Sequence, residues 1–536
     1  MKIGSMASPA AIKTAAIFFA FMLHWRATAD VPLDSGLAAF RAVTTNLDGS
    51  GITIAQSEAS LTTNLETWQV NPAAAEKNPS IFTFTSFSGT TNVFPNAIGF
   101  ESSHADTVAG TFYGIPDGLS TNVARVDTFE ADFYVQNYLG TTNSPPNQDS
   151  VVNQSFTFGP LDATNQAAVD SAYDNFSVAN QTLFISAANN LGNNPVVCAP
   201  GTSYDCISVG AYANGTYVNS IGPTSDNGRC KPDITAASPE TSFSTPLVSG
   251  AATILLQAAL RGDGGNDTNG AADMRTIKAL LLNGAVKTPD WTNSQSAPLD
   301  VRYGAGVLNL LNAYEQLAGG EHHYLSTTQI PQGRAHPPDN TPGQITALSG
   351  WDFNTNSSTA ADDTINHYYF RPGNGASGSP WAATITLVWN RQLNQTNINN
   401  LSLFLYNCAG SNLVLCSTSL VDNVQHIYVP QLPPGRYDLQ IWKAGGIPGT
   451  NIVSSAEPYA LAWGFVSPTL SLTRSGSGSV LAWSVYPAGF SAESTSNLAS
   501  PVWTNNNLSG ARITNGQYFL PLNPINPAEF FRLSSQ

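Results

Sequence analysis

Ser242 stands in Thr241-Ser242-Phe243-Ser244-Thr245-Pro246-Leu247-Val248-Ser249-Gly250, ahead of an apolar run that reads as a buried helix. A serine on a tight turn at the start of such a helix presents its hydroxyl at the positive end of the helix, where backbone N–H groups can hold a developing oxyanion. That is a nucleophile's setting, and a nucleophilic serine needs a base, most often histidine, to take its proton. Of the seven histidines, His24, His104, His322, His323, His336, His367 and His426, only His104 falls between residues 29 and 321. It lies in Ser102-Ser103-His104-Ala105-Asp106-Thr107-Val108-Ala109-Gly110-Thr111, where apolar residues at 105, 108 and 109 give helical spacing with His104 near the start. Taken singly, each segment has a plainer reading: a serine capping a core helix and a structural histidine.

Taken together, the two segments resemble the catalytic motifs of the subtilisin-like serine peptidases, Gly-Thr-Ser-x-Ala-x-Pro-x-Val-x-Gly and Ser-His-Gly-Thr-His-Val-Ala-Gly-Thr. The resemblance implies the chain order acid, His, Ser, with the acid at the end of the first sheet strand. In Gly49-Ser50-Gly51-Ile52-Thr53-Ile54-Ala55-Gln56-Ser57-Glu58, Glu58 stands where the family has Asp. Its implied role is to orient His104 and stabilise the imidazolium, with Asp48 and Glu101 as alternative acids. Phe184-Ile185-Ser186-Ala187-Ala188-Asn189-Asn190 is similar to the family strand ending Ala-Ala-Gly-Asn, which implies Asn189 as oxyanion donor, or Asn190 if the register slips by one. Val151 to Phe156 resembles the strand that pairs with extended substrate. Ser155, Phe156 and Thr157 are therefore expected to contact it, with Thr157 and Phe158 in place of small glycines.

The resemblance runs from about Gly49 to Leu317 and departs from the family at Glu240, where a Gly is usual. It implies a secreted serine endopeptidase acting on polypeptides through Ser242, His104 and Glu58, with no cofactor required for the chemistry. A structural calcium is a further expectation, with Asp362-Asp363 or the Asp263 to Asp267 loop as candidate ligands. The competing expectation is a peptidase-fold protein with a weakened site that acts as an extracellular binding module.

The elements that must position these residues are legible as texture. From about 45 to 320, short β-branched runs alternate with helix-like stretches at Leu161 to Val178, Thr245 to Leu260, Ala271 to Leu282 and Val307 to Leu317. That alternation predicts an α/β domain with a largely parallel sheet, and the motif resemblance implies that it is a subtilisin-like domain over 30–320. A linker over 321–344 leads to period-two segments that predict an all-β sandwich over 345–466. A small terminal β-module is expected over 467–536.

The chain has 536 residues, 11% of them charged against a typical ~25%, and a formal charge of −15. So few charges exclude a coiled coil, and the acidic balance excludes a protein that neutralises nucleic-acid phosphates. The acidity is concentrated: 30–320 holds 10 Lys and Arg against 26 Asp and Glu, a net −16. Such a field favours cationic or neutral peptides. Residues 1–29 read as a signal peptide, with Lys2 and Lys13, an apolar core from Ala15 to Leu23 and Ala27-Thr28-Ala29. The expected location is secreted, periplasmic or at the cell surface, without a membrane span and as a monomer. Two near-neighbour cysteine pairs, Cys198 with Cys206 and Cys408 with Cys416, are spaced for disulfides in an oxidising compartment.

Overall fold

Apolar runs that alternate in the sequence without alternating in polarity belong to strands covered on both faces, and the first half of the chain builds one such sheet. The computed structural model describes residues 35–535 apart from 61–65, 140–148, 192–195, 335, 339–340, 374–379, 446–453, 468, 476–477, 485–489, 506–510, 515–516 and 523–528. The expected signal peptide, 1–29, lies outside the described residues.

In chain order the strands are β1 (Thr53–Glu58), β2 (Thr67–Gln69), β3 (Phe82–Ser86), β4 (Gly89–Thr91), β5 (Phe100–Glu101), β6 (Arg125–Glu130), β7 (Val151–Gln154), β8 (Leu183–Ala187), β9 (Ile207–Ala213), β10 (Thr216–Tyr217) and β11 (Ile234–Ala237). The main sheet has the order β10-β9-β8-β7-β1-β6-β3-β4, with β11 beside β9. Pairing is parallel from β3 through β9 and between β9 and β11, and antiparallel only at β4 and β10. Neighbouring residues go to opposite layers. Ile54, Val151 and Ile185 pack into the core under most of the helices, whereas Ala55, Val152 and Phe184 pack with Tyr173 and Phe176 on the other face.

The principal helices are α1 (Leu37–Val43), α2 (Ser103–Phe112), α3 (Ala163–Asn180), α4 (Thr241–Arg261), α5 (Met274–Gly284) and α6 (Leu310–Ala318). Asp162 caps α3 by accepting the Asn165 N–H at 2.9 Å, which starts the helix two residues after the expected Leu161. Among the described residues α4 is the one helix long and apolar enough to cross a membrane, and 83% of that stretch is buried inside the protein. It is the core helix of the domain.

The second half is antiparallel. Strands β12 (Ser326–Pro331), β13 (Ser349–Ser357), β14 (Asp362–Phe370), β15 (Trp381–Trp389), β16 (Leu401–Asn407), β17 (Asn412–Ser417), β18 (Val424–Leu432), β19 (Tyr437–Lys443) and β20 (Ala456–Val466) form two sheets, β12-β14-β19-β16-β17 and β13-β20-β15-β18. Edge strand β12 lies within the segment expected as linker. Trp351 and Trp389 are fully buried and Trp442 is half-buried. The second sheet is covered twice, because β15 and β20 also pack on α5 of the first domain. Thr386 Oγ1 marks that contact, donating to Asn283 Oδ1 at 2.9 Å. Two small antiparallel sheets, one built from 470–475, 478–484, 512–514 and 517–522 and the other from 490–495, 504–505 and 530–535, complete the chain.

Candidate active site

The carboxyl end of β1 turns polar in Gln56-Ser57-Glu58, at the edge of the sheet where open α/β folds bind ligands. Ser102 caps α2 by accepting the Ala105 N–H at 3.3 Å, which sets His104 in the first turn. His104 Nδ1 and Glu58 Oε2 are 3.0 Å apart. The carboxylate is held from its other oxygen as well. Gln56 Nε2 donates to Glu58 Oε1 at 2.9 Å and to the Ala105 carbonyl at 3.0 Å, and Tyr113 OH donates to Gln56 Oε1 at 2.7 Å. Gln56, Glu58 and Tyr113 are buried, so each bond acts in a low-dielectric surrounding. Sequence reasoning did not include Gln56 or Tyr113. The available signal was strand periodicity, which puts residues 56 and 58 on one face. The alternative acids are engaged elsewhere: Asp48 accepts from Ser50, and Glu101 accepts from Asn71 Nδ2 at 3.0 Å.

Burial opposes a charge on His104, but the charge and hydrogen bond of Glu58, with a contribution from the charge of Glu240, outweigh it and raise the pKa above the ordinary histidine value. A base must be neutral to accept a proton, so activity carried by His104 falls as pH drops through this raised pKa. Glu240 is exposed and immediately precedes helix α4. Glu240→Gln removes one anion that favours the imidazolium, so the acid limb of the kcat/KM profile is expected to move to lower pH. A limb that stays in place or moves up would show that this charge does not reach the histidine.

Helix α4 begins at Thr241, four residues before the expected Thr245, so Ser242 occupies its first turn and Pro246 lies inside it. Proline has no N–H, and the carbonyl four residues back, that of Ser242, therefore lacks its helical donor. Ser155 Oγ supplies one at 2.8 Å, and Ser242 Oγ donates in return to the Ser155 carbonyl at 3.2 Å. Asn153 Nδ2 donates to Ser155 Oγ at 3.1 Å and Ser249 Oγ to Asn153 Oδ1 at 2.9 Å, so the end of β7 is stitched to α4 over two turns. The rings of His104 and Phe243 lie 5.6 Å apart, which brings the histidine alongside the residue after Ser242. His104 and Ser242 are not hydrogen-bonded to each other. Gly250 lets α4 approach the end of α2 and the turn that follows it: a Cβ there would fall 2.5 Å from that of Leu119 and 3.3 Å from the Phe112 carbonyl oxygen.

The two asparagines after β8 have different surroundings. Asn189 is buried with φ 97°, its Nδ2 faces Cys198 Sγ at 3.7 Å and its Oδ1 accepts the Asn190 N–H at 2.9 Å. Asn190 reaches the start of α4. Its Oδ1 accepts from both the N–H and the hydroxyl of Thr241, each at 2.8 Å. The oxygen of Asn190 is thus anchored on the residue before Ser242, and the side chain is partly exposed. Of the two candidate oxyanion donors, Asn190 is the one hydrogen-bonded to the start of α4, and Asn189 bonds within its own loop. After Gly, Asn is the residue type that best tolerates the positive φ of Asn189.

Residues 95–306 match the family model of the subtilase family. The chain carries a subtilase domain. No curated protein matches the chain. Solved structures similar to it include a point mutant of the protease domain of PatA, at 20% identity over 52% of this chain and 98% of that one, with a TM-score of 0.36. A cold-adapted subtilisin-like serine proteinase is 19% identical over 49% of this chain and 89% of that one, with a TM-score of 0.30. Fervidolysin from Fervidobacterium pennivorans, a keratinolytic enzyme related to subtilisin, is 12% identical over 80% and 78% respectively, with a TM-score of 0.34.

Within this subtilase domain the expected substrate wall needs a smaller footprint. Strand β7 is interior, paired with both β1 and β8; just beyond it Ser155 is buried, and Phe156, Thr157 and Phe158 are partly exposed. The Phe156 and Phe158 rings meet edge-to-face at 5.4 Å, and the Phe158 N–H donates to the Ala199 carbonyl at 2.8 Å. Bulk thus replaces the glycines of the family pattern.

The expected disulfides are not formed among the described residues. Cys416 pairs across the β16–β17 hairpin with Phe404, four residues before Cys408. Four strand residues span roughly 13 Å, about twice the Cα separation a disulfide allows. Cys206 Sγ donates instead to Ser186 Oγ at 3.2 Å, and Cys198 Sγ to the Val196 carbonyl at 3.6 Å. Burial pushes the Cys206 thiol up to about 12.

The carboxylates considered for calcium are engaged by protein donors. Asp263 binds Arg261 at 2.7 Å and Tyr314 OH at 3.0 Å, and Asp267 accepts the Gly270 N–H at 3.0 Å. Asp363 accepts the N–H groups of Gly445 at 2.8 Å and Gly333 at 3.2 Å, and Asp362 accepts the Thr359 hydroxyl at 3.2 Å. These sets do not fit a calcium cage of six to eight free oxygens.

Proposed function

We propose that the chain is a secreted serine endopeptidase in which Ser242 attacks the peptide carbonyl, His104 takes and returns the proton, and Glu58 orients His104. The reading rests on one observation above the others: the 3.0 Å pair of Glu58 and His104, buttressed by Gln56 and Tyr113, beside the start of α4. In this mechanism the Ser242 hydroxyl turns from the Ser155 carbonyl to His104 as a peptide docks along 155–158. Proton transfer to His104 leaves an imidazolium that the adjacent Glu58 carboxylate stabilises. The tetrahedral oxyanion is received by the N–H groups at the start of α4 and by Nδ2 of Asn190. His104 then protonates the leaving amine, and water repeats the sequence on the acyl-enzyme. The acidic surface of the domain favours cationic peptides through long-range attraction that salt weakens.

Purified protein is expected to hydrolyse casein and to be labelled at Ser242 by a fluorophosphonate. A folded sample that does neither from about pH 5 to about pH 10 would refute the reading, as would labelling that persists undiminished in Ser242→Ala.

A further inference from the structure

Just past α6 the chain runs extended beside β13, with a parallel bridge between Glu321 and Trp351 and the His322 N–H donating to the Trp351 carbonyl at 2.9 Å. Glu321 and His323 alternate onto the same side of this segment. With Asp352 of β13 they bring one nitrogen and two carboxylate ligand atoms within 4.8 Å of one another. Asp352 is fully buried, and its Oδ2 is committed to Tyr368 OH at 2.6 Å and Asn354 Nδ2 at 3.2 Å, which leaves Oδ1 facing His323 Nδ1 at 2.7 Å. Oε1 of Glu321 is shut off from solvent and has no hydrogen-bond partner among the described residues. A buried, unpartnered carboxylate oxygen is costly, and here it belongs to one of three converging ligands. Asp267, from the loop after α4, adds its negative charge to both Glu321 and His323.

We propose that Glu321, His323 and Asp352 bind a single first-row divalent cation of the Zn²⁺ type, which ties the end of the subtilase domain to sandwich strand β13. The imidazole selects against calcium, whose ligands are oxygens, and one histidine with two carboxylates is a donor set that Zn²⁺ accepts, with water completing the shell. The ion takes the place of the proton between His323 and Asp352. Access is open, since the His323 side chain is 63% exposed.

The test is calorimetric titration of ZnCl₂ into the full-length protein after EDTA treatment and dialysis, paired with thermal melting with and without Zn²⁺. One saturable site per chain and a Zn²⁺-dependent rise in Tm are expected in the unaltered protein. Both are expected to weaken by at least about tenfold in affinity in His323→Ala, whose exposed side chain can be removed without disturbing the core, and in Glu321→Gln. Excess Ca²⁺ should not displace the Zn²⁺. No saturable binding, a site that survives both substitutions, or displacement by Ca²⁺ would each overturn the proposal. Peptidase activity does not enter the readout.

Discussion

Glu58→Gln is expected to lower kcat by about 10⁴-fold while leaving the fold and the approach of substrate intact. The reason lies in Gln56. Its Nε2 donates to Glu58 Oε1, so an amide at position 58 must turn its carbonyl oxygen to that donor and its NH₂ to His104. Nδ1 of the imidazole then becomes an acceptor, the ring proton moves to Nε2, and the nitrogen that should take the Ser242 proton already carries one. The charge that stabilises the imidazolium is lost at the same time. Glu58→Asp keeps the charge and gives up one methylene of reach, so it should retain far more activity than the amide. Steady-state kcat and the rate of fluorophosphonate labelling should fall together in Glu58→Gln. A loss smaller than about tenfold in kcat would place the orienting acid elsewhere.

Asn190→Ala is expected to cost about 10²–10³-fold in kcat, the magnitude found for removing one oxyanion donor in a subtilisin-type enzyme, with little change in KM. Asn189→Ala should behave in the opposite way. Its backbone sits at φ 97°, where alanine is strained by about 1–2 kcal/mol, so Tm falls while kcat is retained in the folded fraction. Asn189→Gly should recover much of the loss in Tm, because glycine enters this region without the Cβ clash. Measuring kcat and Tm on the three variants separates the roles, and a kcat loss confined to Asn189→Ala would restore the unslipped register.

That register shows where the sequence was readable and where it was not. Ser242 and His104 announced themselves by residue type, spacing and order, and the alternating texture of the first 320 residues gave the parallel sheet. The pair Asn189-Asn190 offered two candidates for one role, because the glycine that would have fixed the frame is absent and an asparagine carries its conformation. Local spacing also misled at the cysteines. Seven residues between Cys408 and Cys416 suit a loop, but hairpin pairing decides which residues face each other, and it sets Cys416 against Phe404. In the sandwich, the period-two pattern of Ala383-Thr384-Ile385-Thr386-Leu387 reads as a strand with a wet face. Thr384 and Thr386 are instead buried, because α5 of the neighbouring domain covers that face. Polarity along a single strand records chemistry rather than exposure, and for Thr386 the protein supplies the partners, Asn283 and His426.

The cross-linked pair at residues 155 and 242 has a consequence for selectivity. Pro246 strips the serine carbonyl of its helical partner, and the segment a peptide would lie along takes that partner's place. Under the proposed mechanism, a displacement of the 155–158 segment would carry the backbone of Ser242 with it, because Ser155 Oγ holds the Ser242 carbonyl. An extended guest backbone would therefore count, in that mechanism, before the identity of its side chains.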